Sequence, residues 1–282
     1  MKIDCHMHIT PPDIINNPNA KFLENETYFK WLSASKINKF ATGNDIIDEL
    51  NNANFDKGVV FGFGFKDPSL CKYVNDYTIE QIQKYPDKLI GFMVIQPNDP
   101  HMATEIERCA NAGLVGIGEL FPEGQNFDLT KIHSTSQLNE CCSKFNLPIL
   151  LHTNENIGHN YVGKTKTTLQ ELEIFIKNHT HTPIILAHMG GGLLFFECMK
   201  EIHKLCENVY YDTAALLFLY EATIYQIAKQ LNIEHKILFG SDYPLVQINK
   251  YDKGFADSRL DDKIINDIKG NNLLNMFTSL LN

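Results

Sequence analysis

PIILAH, residues 183–188, is apolar at every position before its terminal histidine. A strand with one face in water alternates. A strand buried on both faces reads as an unbroken apolar run, and parallel strands buried this way need a helical crossover between them. The flanks supply the crossovers, since residues 167–178 and 192–206 both carry helical periodicity. The unit repeats in both directions. Toward the N-terminus, LPILLH (147–152) follows a helical stretch at 136–145, LVGIGEL (114–120) follows 102–112, and KLIGFMVI (88–95) follows 71–85. KGVVFGFGF (57–65) follows 44–54, and the first run occupies 3–9. Toward the C-terminus, NVYYD (208–212) follows 192–206 and KILFGSD (236–242) follows 222–231. This alternation predicts an α/β fold, a (β/α)8 TIM barrel forming a single domain over residues 1–282. An open doubly wound sheet is the runner-up. It would need a phosphate loop after its first strand, and Gly62-Phe63-Gly64-Phe65 lacks both the third glycine and the helix start of such a loop.

The composition narrows the function classes. With 44% hydrophobic and 21% charged residues, the 282-residue chain is globular rather than disordered. A net charge of −9 and the absence of a Lys/Arg run exclude a nucleic-acid partner and an anionic membrane surface. Arg108 and Arg259 are the only arginines, so bidentate arginine recognition of an anion is not central. Seven cysteines, with only Cys141 and Cys142 close together, do not form a secreted disulfide framework. No signal-peptide core is present, nor the ~18 apolar residues of a membrane span. The expectation is a soluble, cytoplasmic protein.

The chemistry lies in where the polar residues fall. Reactive groups of such a barrel sit at the C-terminal ends of the strands. There the runs carry His6 and His8, Glu119, His152, His188, Asp212 and Asp242. His6 and His8, two apart on a strand, share one face. A lone strand-end histidine is more often a hydrogen-bonded core residue. A group of imidazoles and carboxylates buried together without a cation would cost several kcal/mol each or shift their pKa values. The cluster therefore points to a divalent metal such as zinc, manganese or iron. Other candidates read differently. Cys5 is expected to face away from His6 onto a helix, and Cys141 and Cys142 to pack. His101, His133, His179, His181, His203 and His235 are expected at the surface or as caps. His159, in the loop at 154–164, is balanced between a substrate contact and a bland role. YFKW at 28–31, within a long irregular segment, is expected to form a lid. Lys66 is a candidate partner for an anionic substrate group.

Taken in order, His6-Met7-His8, Glu119, His152, Ala187-His188-Met189-Gly190-Gly191 and Gly240-Ser241-Asp242-Tyr243-Pro244 resemble the amidohydrolase superfamily. Within it, the chain is most similar to the amidohydrolase-related set that includes aminocarboxymuconate semialdehyde decarboxylase. The resemblance implies a divalent metal, usually zinc, held by His6, His8, His152 and Asp242, with one or two ions in all. It implies that His188 acts on substrate or contacts a second metal. Decarboxylase-type members carry a lysine-containing motif after the fourth strand, whereas this chain reads Gly116-Ile117-Gly118-Glu119-Leu120. Glu119 resembles the metal-binding carboxylate of TatD-like nucleases and two-metal hydrolases. The implied function is hydrolysis of a small-molecule amide, lactam, lactone or ester, with Asp242 as proton shuttle and Glu119 bridging or ligating. The alternative is a non-oxidative decarboxylase or hydratase using the same metal, and a barrel that binds metal without turnover is the non-enzymatic rival. A homodimer is the implied assembly.

Overall fold

The computed structural model describes residues 1–37 and 39–280. Its strands are β1 (Ile3–His8), β2 (Lys57–Phe61), β3 (Leu89–Gly91), β4 (Ile117–Leu120), β5 (Ile149–Leu151), β6 (Ile184–Leu186), β7 (Val209–Asp212) and β8 (Ile237–Leu238). All pair in parallel with their sequence neighbours, β1 to β3 in one sheet and β4 to β8 in another. Two seams join the sheets. At one, Met93 N donates to Gly116 O (2.9 Å) and Gly118 N to Met93 O (2.8 Å). At the other, Cys5 N donates to Phe239 O (2.8 Å), His8 N to Tyr243 O (2.7 Å) and Asp242 N to His6 O (3.0 Å). The strand order runs from β1 to β8 and closes, giving the expected (β/α)8 barrel.

Local chemistry fixes the crossover helices. Thr42 with Asp45, and Thr168 with Glu171, form reciprocal capping boxes that start the helices Gly43–Asn52 and Leu169–Asn178. Asp67 caps Pro68–Lys84, whose proline stands where no amide hydrogen is needed. Packing separates into two layers. Ile149, Leu151, Ile184, Leu186 and Ile237 cluster with helix residues such as Leu50, Ile106 and Phe175, between strands and helices. The alternate residues Val59, Phe61, Leu150, Ile185 and Leu238 form a second cluster, joined by Leu273 and Met276 of the final helix Asn272–Leu280. Only the rim beyond this apolar filling is left for polar groups.

Several expectations need correction. Cys5 belongs to the inner cluster and not to the helix-facing layer, because the β1–β2 register shifts between Asp4 and Met7 and breaks strict alternation. The segment after β1 is ordered: helix Pro12–Asn16, a 3-10 turn at Lys21–Leu23 and helix Thr27–Ala34. Residues 192–206 form a 3-10 turn, Leu193–Cys198, then a short helix, Lys200–Leu205. His179 caps the helix Leu169–Asn178 as expected, but from a buried position, with Nδ1 donating to Phe175 O (2.8 Å) and its ring stacked on Phe175. The side chain of His133 lies outside the described residues. Cys141 and Cys142 pack in the core as expected. All seven cysteines are free, and among the described residues no helix is long and apolar enough to cross a membrane.

Candidate metal centre

The rim at the strand C-termini brings His6, His8, Glu119, His152, His188 and Asp242 together. All six are buried. His188 gets there by a turn: immediately after β6 its backbone is left-handed (φ 57°), and so is that of Met189. Such a conformation costs a non-glycine residue about 1–2 kcal/mol. Glycines complete the turn. A Cβ on Gly191 would lie 2.5 Å from the Asn154 carbonyl oxygen, so only glycine fits. Asp242, just past β8, is also left-handed (φ 64°).

The outer nitrogen of three histidines meets an atom that can only accept a hydrogen bond. His6 Nδ1 donates to Asp212 Oδ2 (2.8 Å), His188 Nδ1 to Ala214 O (2.8 Å) and His152 Nε2 to Gly163 O (2.9 Å). For His6 and His188 those contacts place a hydrogen on Nδ1 and turn Nε2 to the centre, whereas His152 has an acceptor at each nitrogen, Gly163 O at Nε2 and Glu119 Oε1 at Nδ1 (2.9 Å). The inward nitrogens face one another in pairs. His6 Nε2 lies 3.3 Å from His8 Nε2, and His188 Nε2 lies 3.3 Å from His152 Nδ1. Opposed lone pairs this close repel unless a cation or proton lies between them.

Glu119 stands between the two pairs. Its Oε2 is 3.8 Å from His6 Nε2 and 3.6 Å from His8 Nε2. Its Oε1 is 2.9 Å from His152 Nδ1 and 3.7 Å from His188 Nε2. Asp242 Oδ1 joins the first pair, at 3.3 Å from His8 and 3.7 Å from His6. Ligands bound at about 2.0–2.1 Å around one ion stand roughly 3.0–3.4 Å apart; four of these spacings lie at 2.9–3.3 Å and the other four at 3.6–3.8 Å. The residues fit a divalent cation, and they form two groups that share Glu119. His152, which the resemblance places in a ligand set with His6, His8 and Asp242, lies in the group with Glu119 and His188.

The electrostatics agree with a cation-seeking site. Burial pushes the His6 imidazole down, but Asp212, Glu119 and Asp242 outweigh it and lift its pKa to about 10. His188 is lifted against burial to about 9, chiefly by Glu119 and Asp242. Burial raises Glu119, yet His152 and His6 hold it well below the usual carboxylate range, and His8 with His6 lowers Asp242 against its own burial. Asp4, beneath the site, accepts from the amides of His6 and Ser241 (both 3.0 Å), and burial lifts it to about 7.

The centre opens into a cavity of about 550 Å³. Phe63 stacks on the His8 ring (4.6 Å between centroids) and Phe121 meets His152 edge-on (4.7 Å). Phe40, Tyr161, Phe218 and Leu219 continue the wall. Lys66 does not line the cavity: its amide donates to Glu26 and its carbonyl accepts from Gln96. Lys39 and His159 do line it. The 28–31 stretch lies beside the mouth, with Tyr28 against Phe121 and the neighbouring Leu32 in the cavity wall. Sequence reasoning missed the orienting part of Asp212 and the two backbone carbonyls. An acid ending β7 was visible, but carbonyl orientation leaves no mark in a sequence.

The family model for amidohydrolases matches residues 3–273. No functionally curated protein matches the sequence. Among solved structures, the chain is similar to 5-carboxyvanillate decarboxylase from Novosphingobium aromaticivorans, complexed with manganese and a nitrobenzoic acid (TM-score 0.75, 16% identity, covering 99% of this chain and 96% of that one). It is similar to 2,6-dihydroxybenzoate decarboxylase from Rhizobium (0.70, 16%, 99% and 98%). A third is a probable 2-pyrone-4,6-dicarboxylic acid hydrolase from Acinetobacter baumannii with citric acid bound (0.67, 18%, 98% and 99%). The chain belongs to the amidohydrolase family, a superfamily of TIM-barrel enzymes, and carries His/Glu groups able to hold a divalent metal.

Proposed function

We propose that the protein is a metal-dependent hydrolase of a small-molecule amide, lactam, lactone or ester, in which Glu119 would serve two divalent ions. The carrying observation is that the two Glu119 oxygens divide between two pairs of inward-facing imidazoles. His6, His8 and Asp242 would hold one ion, and His152 and His188 the other. When bound, such ions bring the pKa of a coordinated water toward about 7 and take up charge on the acyl oxygen. The chain's own residues supply the rest. Asp242, held ionised by His8 and His6, accepts the proton from the attacking water at a carboxylate oxygen. It then returns that proton to the nitrogen or oxygen that leaves as the C–N or C–O bond breaks. Phe63 and Phe121 exclude bulk water beside the reacting groups and seat an apolar acyl substituent. The nitrogen and oxygen donor set suits zinc, which the sequence resemblance implies, and manganese, which the 5-carboxyvanillate decarboxylase structure holds.

A second reading is metal-dependent decarboxylation, and the comparisons back it better than hydrolysis. Two of the three structures named above are decarboxylases of aromatic acids, and the aromatic wall here suits a flat ring. In that reaction Asp242 takes a proton from water or a substrate hydroxyl and passes it to the carbon as the C–C bond to CO2 breaks, the bond's electron pair staying on that carbon. Favouring hydrolysis is the fourth-strand carboxylate set between two histidine pairs. Incubating the manganese- or zinc-loaded protein with aryl esters, lactones and amides beside hydroxybenzoates separates the readings. Acid release from the acyl panel supports hydrolysis; CO2 release from the acids alone overturns it in favour of decarboxylation.

A further inference from the structure

The histidines of the rim are not held equally. His6 and His188 lean on Asp212, at the end of β7, and on Ala214, two residues past it. His152 leans on Gly163 O, eleven residues further along a loop that also walls the cavity. At its base the loop is stapled: Asn154 Oδ1 accepts from Thr165 N (2.8 Å) and Thr165 Oγ1 (2.6 Å), and Asn154 Nδ2 donates to Thr165 O. Gly163 has open space where a side chain would stand. A Cβ built there meets no heavy atom within 4 Å, and its φ is +100°. What places it is the next residue. The Lys164 ammonium donates to the carbonyls of Ile157 (2.6 Å), His159 (3.2 Å) and Gly158 (3.4 Å). Three donors meet three acceptors, folding the loop tip back on itself.

We infer that Lys164 is a positioning residue for the second ion: its clasp on the 157–159 carbonyls holds Gly163 O against His152 Nε2, keeping the ring hydrogen there so that Nδ1, 2.9 Å from Glu119 Oε1, is the nitrogen left to the ion. The inference rests on the reading that Glu119, His152 and His188 form an ion site, and it ties loading of that site to the conformation of a mouth loop. Without the clasp, the Gly163 carbonyl is held only by the Lys164 N–Tyr161 O turn and the Thr165 staple, and the tip is freer to swing it away from His152. His152 then takes either tautomer, and one of the two has a hydrogen where the ion would bind. Partners one shell out from a metal change affinity by about 10–100-fold when lost. Lys164 acts one step further back, so the lower end applies.

The test is a titration of metal-free wild type, Lys164→Met and Lys164→Arg with manganese(II) alone, read by calorimetry and by the spin-coupled signal of a manganese pair. The expected result is two equivalents in wild type. In Lys164→Met the second should weaken about 10-fold while the first is unchanged and the melting temperature is kept; Lys164→Arg should restore much of the loss. Two wild-type equivalents with an unchanged second affinity in Lys164→Met overturn the clasp, as does equal weakening of both. Fewer than two equivalents in wild type overturn the ion-site reading itself, and the clasp with it.

Discussion

The Asp212 carboxylate meets His6 Nδ1 with one oxygen (2.8 Å) and the amides of His188 (2.9 Å) and Ala214 (3.0 Å) with the other. It orients one histidine of the first pair and the backbone of one in the second. Asp212→Ala is therefore expected to weaken metal binding about 10–100-fold in a folded barrel, as measured by equilibrium dialysis; unchanged affinity would remove the orienting role. Asp242→Asn keeps a ligand oxygen and loses the proton acceptor. Turnover is expected to fall about 10²–10⁴-fold while metal is retained, checked by kcat beside metal content. His179 sits away from the metal and controls stability instead. Burial holds its pKa below the ordinary value, so the unfolded chain takes up a proton before the folded one does. Stability is then expected to fall as pH drops below about 6.5, toward the lower folded pKa. Melting temperature against pH measures this, and His179→Gln should flatten the slope. His6, His8 and His188 were legible as residues because each ends an apolar run. The backbone partners of His188 and His152 were not, since Ala214 and Gly163 contribute carbonyls that every residue type carries.

At the scale of elements, legibility follows how local the cause is. The helices Gly43–Asn52 and Leu169–Asn178 begin within a residue or two of where the pattern puts them, because Thr42 and Thr168 cap them from three residues away. The Cys5 position failed because a register shift in β1 depends on β2, far along the chain. The 28–31 stretch was misread as irregular although Phe29 is buried against Phe40, Phe63 and Phe65; those partners come from other segments. The turn after β6 makes the sharpest mutational case. Gly191 combines a positive φ (57°) with a backbone neighbour that a Cβ would strike. Gly191→Ala is expected to destabilise by about 1–3 kcal/mol and to displace His188, read as a lower denaturant midpoint with a weaker second manganese equivalent.

Across the whole molecule, closure of the barrel makes distant residues adjacent. The β1–β8 seam puts Asp242 N on His6 O and Ser241 N on Asp4 Oδ1, more than 230 positions apart in sequence. The closed barrel was readable from eight apolar runs. The division of its rim into two groups around Glu119 was not, because it depends on side-chain directions fixed only after closure. Metal binding to the folded state alone adds about 2.7 kcal/mol per ion at one hundred times the dissociation constant. Chelation is thus expected to lower the melting temperature. Diffraction from a manganese-soaked crystal, recorded at the manganese absorption edge, tests the central claim most directly. Two anomalous peaks are expected on either side of Glu119, one touching His6, His8 and Asp242 and the other His152 and His188. A map with no peak there, and those imidazole nitrogens still facing one another, would contradict it.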